Sequence, residues 1–567
     1  MKIEDVTLGE PGPGEVKLKV AAVGLNRAES MYYHGQYMEQ PQLPSGIGYE
    51  VVGTITAVGP DVDQGLVGKQ FATIPGYSMK QYPSLAEEAV VPASYLAAVP
   101  PGLSPVEGAA VWMQYGTAYG PLVEFGKVGA GDFVIITAAS SSVGLAAIQI
   151  VKAQGGDAVG VNPLHGMFPD LPREASPYSP LSRYLLNVLN LDPEAIPEFA
   201  QSEAAQAMVK APEFQERLRR VREAELVAYE EVAQLKTPVL RALYEEFEKN
   251  ASEERKEAFA RFQRGCDPLL TESCVFGAIR QHMTEQDPQF RDCGKWPESL
   301  KHAASDGVER FRQEQADLVR YHQWTQWVAD EQLFAVKQAC EGMAVGLYRD
   351  LAVGANPSGA EVWSNPEVMV SMAEVGAPPD LLNTAGQNWV LPPFHPLKMR
   401  EDGYRSFIAL LRTNMRHAGG VRIDHAMALE RLYWIPRGGT PRDGGYVRYP
   451  TEDLIGVIAL ESHRNKCLVV GEDLGTVPKG FRERMAEAQI LSYKVLLLEE
   501  EEKGGGYVKG GSYQRLALST ASSHDLPTLR GWWEGEDLRL RERLGFTKPD
   551  KAREDEAKRE EDRESLV

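Results

Sequence analysis

Cysteine is scarce in this chain and badly spaced for covalent or metal chemistry. Five occur in 567 residues: Cys266, Cys274, Cys293, Cys340 and Cys467. Their number is odd and no Cys-x-x-Cys pair exists. Neither a disulfide framework nor a zinc knuckle is implied, and reduced thiols in a cytoplasmic protein are the expectation. No metal site is expected. Long apolar runs are missing too: no eighteen consecutive apolar residues occur, so no membrane helix is expected. The opening MKIEDVTLGEPGPGE has no apolar core of the kind a signal peptide needs. Positive charge is in deficit, with 60 Lys+Arg against 80 Asp+Glu and a formal net charge of −20. That balance argues against a nucleic-acid partner, whose phosphates call for Lys and Arg. The deficit is spread along the chain: residues 1–160 hold 8 Lys+Arg and 15 Asp+Glu.

What is present is the composition of an ordinary globular protein, 43% apolar and 25% charged, with length for several domains. The stretch VRIDHAMALERLYWIP (421–436) carries the first chemical signal. Val421 and Ile423 read as the end of a buried strand, from which Arg422, Asp424 and His425 project. An Arg two residues before an Asp favours the ionised carboxylate. Alone, such a pair is more often an ion pair that only stabilises. The company changes that reading. About fifty residues on, LVVGEDLGTVP places Glu472 after an apolar run, and about fifty further on, LSTASSHDLPT places His524 and Asp525 after another. Strand-then-carboxylate units at near-regular spacing are what a (β/α)8 barrel provides at the carboxyl ends of its strands. Paired carboxylates are what cleavage or transfer at a glycosidic bond requires.

The remainder reads in blocks. Residues 1–130 are β-rich, with Val-containing runs such as VKLKVAAVGL (16–25) and YEVVGTITAVG (49–59) broken by Gly and Pro. FVIITA and LAAIQIVKAQ read as a strand and a helix joined by AASSSVG. There Ser141, Ser142, Val143 and Gly144 form a candidate pyrophosphate turn. The turn lacks a full GxGxxG, so a plain strand–helix connection fits equally well. Residues 185–345 show helical periodicity. Trp324, Trp327 and Phe334 are expected in its core, and His165 and His395, both beside prolines, in loops. The charged KPDKAREDEAKREEDRESLV reads as a solvated helix face or a frayed tail.

RIDH (422–425), GEDLG (471–475) and HDLPT (524–528) resemble the 4-alpha-glucanotransferases, the amylomaltases of glycoside hydrolase family 77. The resemblance extends through NPLHGMFPDLPREASPYSPLSR (162–183), GLYRDLAVG (346–354), EVWSNPE (361–367) and GAPPDLLNTAGQNW (376–389), from about residue 155 onward. It implies a retaining transferase acting on maltooligosaccharides or starch-derived glucans without a cofactor. Asp424 would be the nucleophile, Glu472 the acid and base, and Asp525 a holder of sugar hydroxyls. Arg422 and His524 would assist them. Asp350, Tyr178, Asn388 and His425 would line sugar subsites. The implied fold is α/β: an incomplete (β/α)8 barrel over 157–567, strands two to seven, with the helical insertion at about 185–345. An open barrel exposes strand edges, so weak activity is expected.

Residues 1–155 resemble a different family, the quinone oxidoreductase-like branch of the medium-chain dehydrogenases/reductases. The carrying motifs are AAVGLNRAE (21–29), GYEVVGTITAVG (48–59), GAAVWMQYGTAYG (108–120) and GDFVIITAASSSVGLAAIQI (131–150). This implies a GroES-like β-barrel over 1–128 and the first βαβ of a Rossmann domain over 129–156, with NADPH as the family's cofactor. The family's zinc-ligand places hold Asn26 and Tyr49. Two further readings stand beside the transferase: an NADPH-dependent quinone or carbonyl oxidoreductase, and an inactive fusion of two fragments.

Overall fold

The computed structural model describes residues 4–35, 37–129, 133–135, 142–155, 158–171, 175–224, 226–379, 385–499, 506–508, 512–514, 516–523 and 525–566. The chain divides into two compact units, Met1–Asp157 and Ala158–Val567.

In the first unit, alternating apolar residues make a small antiparallel sheet. Its strands are Glu15–Gly24 (β1), Glu50–Val58 (β2), Gln70–Thr73 (β3), Glu88–Pro92 (β4) and Leu96–Ala98 (β5), in spatial order β4-β1-β2-β3-β5. Val16 and Leu18 of β1 are fully buried with Val51, Ile55 and Val91, and the rings of Tyr49 and Tyr77 meet edge to face at 5.3 Å. The places expected to be empty of zinc ligands are used by this core. Asn26 Nδ2 donates to Glu50 Oε2 at 3.0 Å, and the Tyr49 carbonyl accepts the Tyr77 hydroxyl at 2.8 Å. A strand Phe133–Ile135 (β6) and a helix Ser142–Ala153 follow. Ser141, the first residue of the candidate pyrophosphate turn, lies outside the described residues. Ser142, Val143 and Gly144 open the helix, and Val143 is 36% exposed.

The second unit is built on parallel strands: Ala158–Gly160 (β7), Gly346–Leu351 (β8), Gly420–Ile423 (β9), Leu468–Gly471 (β10), Leu491–Val495 (β11) and Ala517–Thr520 (β12). They are neighbours in chain order, β7 to β12, and each pair is parallel. Parallel neighbours need crossovers, and the helices Arg405–Met415, Thr451–Asn465 and Phe481–Glu487 lie in those connections. Helices on a parallel sheet bury its strands, so the strands read as apolar runs. Leu351, Val421, Ile423 and Val469 accordingly share one core with Leu410, Leu411, Leu454 and Ile458.

The connection from β7 to β8 is the helical block anticipated at 185–345, with helices from Glu203 to Ala339. Trp324 and Trp327 lie in its core with Tyr244, Phe247 and Phe259. Phe334 departs from expectation: it is 43% exposed near the end of the helix Ala316–Ala339, where its ring meets His417 at 5.3 Å. His165 is also corrected. It is not a loop residue but fully buried on the short strand His165–Gly166, where Nε2 accepts the Ala352 amide at 3.1 Å just past the end of β8. His395 caps the helix Pro396–Glu401, accepting the Leu397 amide at 3.2 Å. The charged C-terminal segment is no frayed tail. It forms a helix, Pro549–Leu566, whose Arg559 is buried, pairs with Asp537 at 2.9 Å and lies 4.4 Å over the Trp532 ring. Among the described residues no helix is long and apolar enough to cross a membrane. Among the described residues no disulfide joins any of the five cysteines.

Candidate active site

Side chains two apart on a strand share a face, so Arg422 near the end of β9 and Asp424 just beyond it point together. Asp350 stands opposite Arg422 in the β8–β9 register. The Arg422 guanidinium spans both acids: Nη1 donates to Asp350 Oδ1 and Nη2 to Asp424 Oδ1, each at 2.8 Å. Arg422 is 4% exposed, and buried charge-assisted bonds of this kind fix geometry strongly. The second oxygen of Asp350 accepts the Tyr178 hydroxyl at 2.7 Å. The Tyr493 ring lies 5.0 Å from the guanidinium carbon.

Glu472 follows β10 directly and is 7% exposed. Its Oε1 accepts the Leu474 amide at 2.6 Å and its Oε2 the His425 amide at 2.9 Å. His425 itself adopts φ 49°, the left-handed region. Gly471 lets the chain pass: a Cβ there would lie 2.9 Å from Met485 Sδ. Burial, and then the Asp424 carboxylate, push the Glu472 pKa up to about 7, against the opposing pull of Arg422 and the two amides. Burial raises the pKa of Asp350 as well, and lowers that of the His425 imidazole to about 4. His425 is therefore neutral near pH 7, with the Trp389 ring edge-on at 5.1 Å. The arrangement can present a carboxylic acid and a cation-held carboxylate to one substrate. A cavity of about 70 Å³ beside Asp424 and His425 is walled largely by apolar groups, including Val353, Phe394 and Leu432.

Of the residues singled out from sequence, Asp350, Tyr178, Arg422, Asp424, His425 and Glu472 come together. Asn388 is engaged locally: its Nδ2 donates to Glu374 Oε2 at 2.6 Å and its Oδ1 accepts the Val390 amide at 2.9 Å. Asp525 is exposed on the loop after β12, where its amide donates to Ser523 Oγ at 3.3 Å. His524 lies outside the described residues. Sequence reasoning missed Tyr493, Trp389 and Asp473. Trp389 and Asp473 sit inside the recognised GQNW and GEDLG motifs, whereas Tyr493 shows no signal beyond lying in an apolar strand. Among the described residues no group of three or more His, Cys, Asp and Glu side chains could hold a metal.

Comparison with known proteins gives this geometry a family. Residues 127–566 match the 4-alpha-glucanotransferase family of glycoside hydrolases, and residues 12–101 match the alcohol dehydrogenase GroES-like domain. A 4-alpha-glucanotransferase of Haemophilus influenzae is 37% identical over 407 residues, 70% of this chain and 58% of that protein. One from Mycobacterium tuberculosis is 35% identical over 416 residues, 70% of this chain and 55% of that protein. The chain thus spans somewhat over half the length of these curated relatives. The crystal structure of amylomaltase from Corynebacterium glutamicum superposes with a TM-score of 0.64 at 29% identity, covering 94% of this chain and 76% of that one. A Streptococcus agalactiae amylomaltase in complex with acarbose shares the fold at 18% identity, with a TM-score of 0.59 and coverage of 72% and 81%. By the extent of the match at 127–566, which takes in Asp350, Arg422, Asp424 and Glu472, the chain belongs to the 4-alpha-glucanotransferase family.

Proposed function

We propose that this chain transfers α-1,4-glucan segments between maltooligosaccharides or starch-derived glucans by a retaining double displacement. The observation that carries the reading is the pairing of buried Glu472, its pKa near 7, with Asp424 held by Arg422. Asp424 attacks the anomeric carbon while Glu472 protonates the departing glycosidic oxygen. A β-linked glycosyl ester on Asp424 results. The Glu472 carboxylate then deprotonates the acceptor hydroxyl, which displaces Asp424. A carboxyl titrating near neutrality suits both roles. Asp350, Tyr178, Asn388 and His425 line the sugar subsites in this proposal. Asp525 holds hydroxyls of the distorting ring with the assistance of His524 and Arg422, within an incomplete (β/α)8 barrel.

Transfer on this scheme uses no cofactor and neither a nucleic-acid nor a membrane partner, and free thiols support a cytoplasmic setting. For the first unit we propose NADPH binding that is weak or absent, since the resemblance takes in only the first βαβ of the cofactor fold and the ribose and nicotinamide sites belong to later strands. The oxidoreductase alternative has no specific observation in its favour. The test is maltotriose disproportionation, read as glucose and longer dextrins. Product from the native chain that disappears in Asp424→Asn supports the proposal, and no product from the folded native chain overturns it.

A further inference from the structure

Two consecutive acids follow β10, and they serve different neighbours. Glu472 faces Asp424. Asp473 is fully buried and turned to β11. Its Oδ1 accepts the Tyr493 amide at 3.0 Å, and its Oδ2 accepts the Ser492 hydroxyl at 2.6 Å and Arg482 Nε at 2.7 Å. Arg482 Nη2 also donates to the Asp473 carbonyl at 2.9 Å.

The sheet shows why a side chain is needed there. Backbone pairing between β10 and β11 stops at Gly471 opposite Ser492. Beyond it the chain turns toward the site. The next amide along β11 belongs to Tyr493. A buried amide without an acceptor is costly, and the Asp473 carboxylate supplies the acceptor that the backbone no longer offers.

Tyr493 is the link to the chemistry. Its hydroxyl accepts a hydrogen bond from Thr520 Oγ1 at 3.2 Å, and its ring faces the Arg422 guanidinium. Arg422 Nε is buried and makes no hydrogen bond among the described residues. The pose of that guanidinium therefore rests on Asp350, Asp424 and the aromatic face, a contact of the cation–π kind.

We infer that Asp473 is a positioning residue for the nucleophile: by holding the Tyr493 amide it places the ring against which Arg422 lies, and Arg422 in turn orients Asp424. The kinetic consequence rests on the transferase reading. The geometric one does not.

The test uses the full chain with Asp473→Ala, Asp473→Asn, Tyr493→Leu and Arg482→Ala. Asparagine keeps an acceptor for the Tyr493 amide, so it is the rescuing variant. Arg482→Ala removes the ion pair while leaving the Tyr493 contact. Asp473→Ala and Tyr493→Leu are expected to lower kcat for maltotriose disproportionation by about 30-fold with KM within about threefold. Asp473→Asn and Arg482→Ala stay within about threefold of the native kcat. The double variant Asp473→Ala/Tyr493→Leu is no slower than the slower single, because both changes cut one path. Equal losses in Asp473→Ala and Arg482→Ala, or additive losses in the double variant, overturn the inference. Should Asp473→Ala not fold, Tyr493→Leu decides: an unchanged kcat in a folded protein overturns it. Crystal structures of the native chain and Asp473→Ala supply a readout free of activity. The Tyr493 ring is expected to leave Arg422, and a ring that stays in place overturns the inference. If the native chain makes no product, the transferase reading fails, and those two structures alone judge the role of Asp473.

Discussion

Each unit buries carboxyl groups, and the two sets differ in what surrounds them. In the first unit Glu50 is fully buried and Glu29 is 6% exposed; in the second, Glu472 is 7% and Asp350 9% exposed. Burial raises the pKa of all four. Glu50, however, meets neutral donors: Asn26 Nδ2 and the amides of Trp112 and Met113. Those bonds tie the end of β2 to the segment at 111–113 and leave nothing for a substrate to use. Glu472 and Asp350 instead surround a cation that also holds Asp424. A raised pKa by itself is therefore no mark of catalysis. What sets the candidate site apart is that two acids share one cation at the ends of neighbouring strands, beside a cavity.

The sharpest way to break this comparison is to remove the proposed nucleophile. Asp424→Asn is expected to cut disproportionation by about 10³-fold or more, while Glu50→Gln leaves it within about twofold, as expected of a change that touches none of the proposed catalytic groups. A large loss from Glu50→Gln in a folded protein would refute the distinction. Glu472→Gln is expected to lower the rate on maltotriose by about 10²-fold or more. A glycosyl fluoride donor, whose leaving group needs no proton, should recover the first half-reaction, measured as fluoride release in a single turnover.

The acidity of Glu472 makes a further, smaller prediction. The native state keeps the Glu472 proton up to about pH 7, whereas the unfolded chain loses it near 4.5. The native state then binds more protons in that window, so stability contributed by this group falls as pH rises from 4.5 through 7. The loss amounts to roughly 3 kcal/mol. Glu472→Gln should flatten that part of the pH–stability curve, measured by urea unfolding, and an unchanged curve would show the carboxyl to be ordinary. Activity should decline as pH rises through about 7, where the native state loses the acid form. Last in size, Tyr178→Phe removes one bond to the Asp350 carboxylate and should reduce kcat/KM roughly tenfold.

Much of the second unit was legible because its strands end in charge. Apolar runs closing on Arg422, Asp424 and Glu472 marked strand ends directly, and helical spacing located Trp324 and Trp327. What escaped depends on register and on where elements stop. Tyr493 reaches Arg422 only through the pairing of β11, and Asp473 matters only because β10 stops pairing at Gly471. Phe334, seven residues beyond Trp327, keeps the helical phase of the core, yet at that height the buried face has passed to Leu333. Pro163, two residues before His165, suggested a loop, while the amide of Ala352 required a buried acceptor. Arg559 was hidden among the charges of its own helix. Asn388 met Glu374 through the hairpin that sets it against Gly376, a pairing no local pattern announces.

That hairpin has a last consequence. Val390 sits at φ 58°, a left-handed backbone that β-branched residues resist, with its amide held by Asn388 Oδ1 and its side chain 49% exposed. Strain of this sort is worth roughly 1–3 kcal/mol. A glycine or asparagine at 390 would relax it while removing little buried surface. For anyone wishing to make the protein more heat-resistant, position 390 is a starting point that leaves every carboxylate alone.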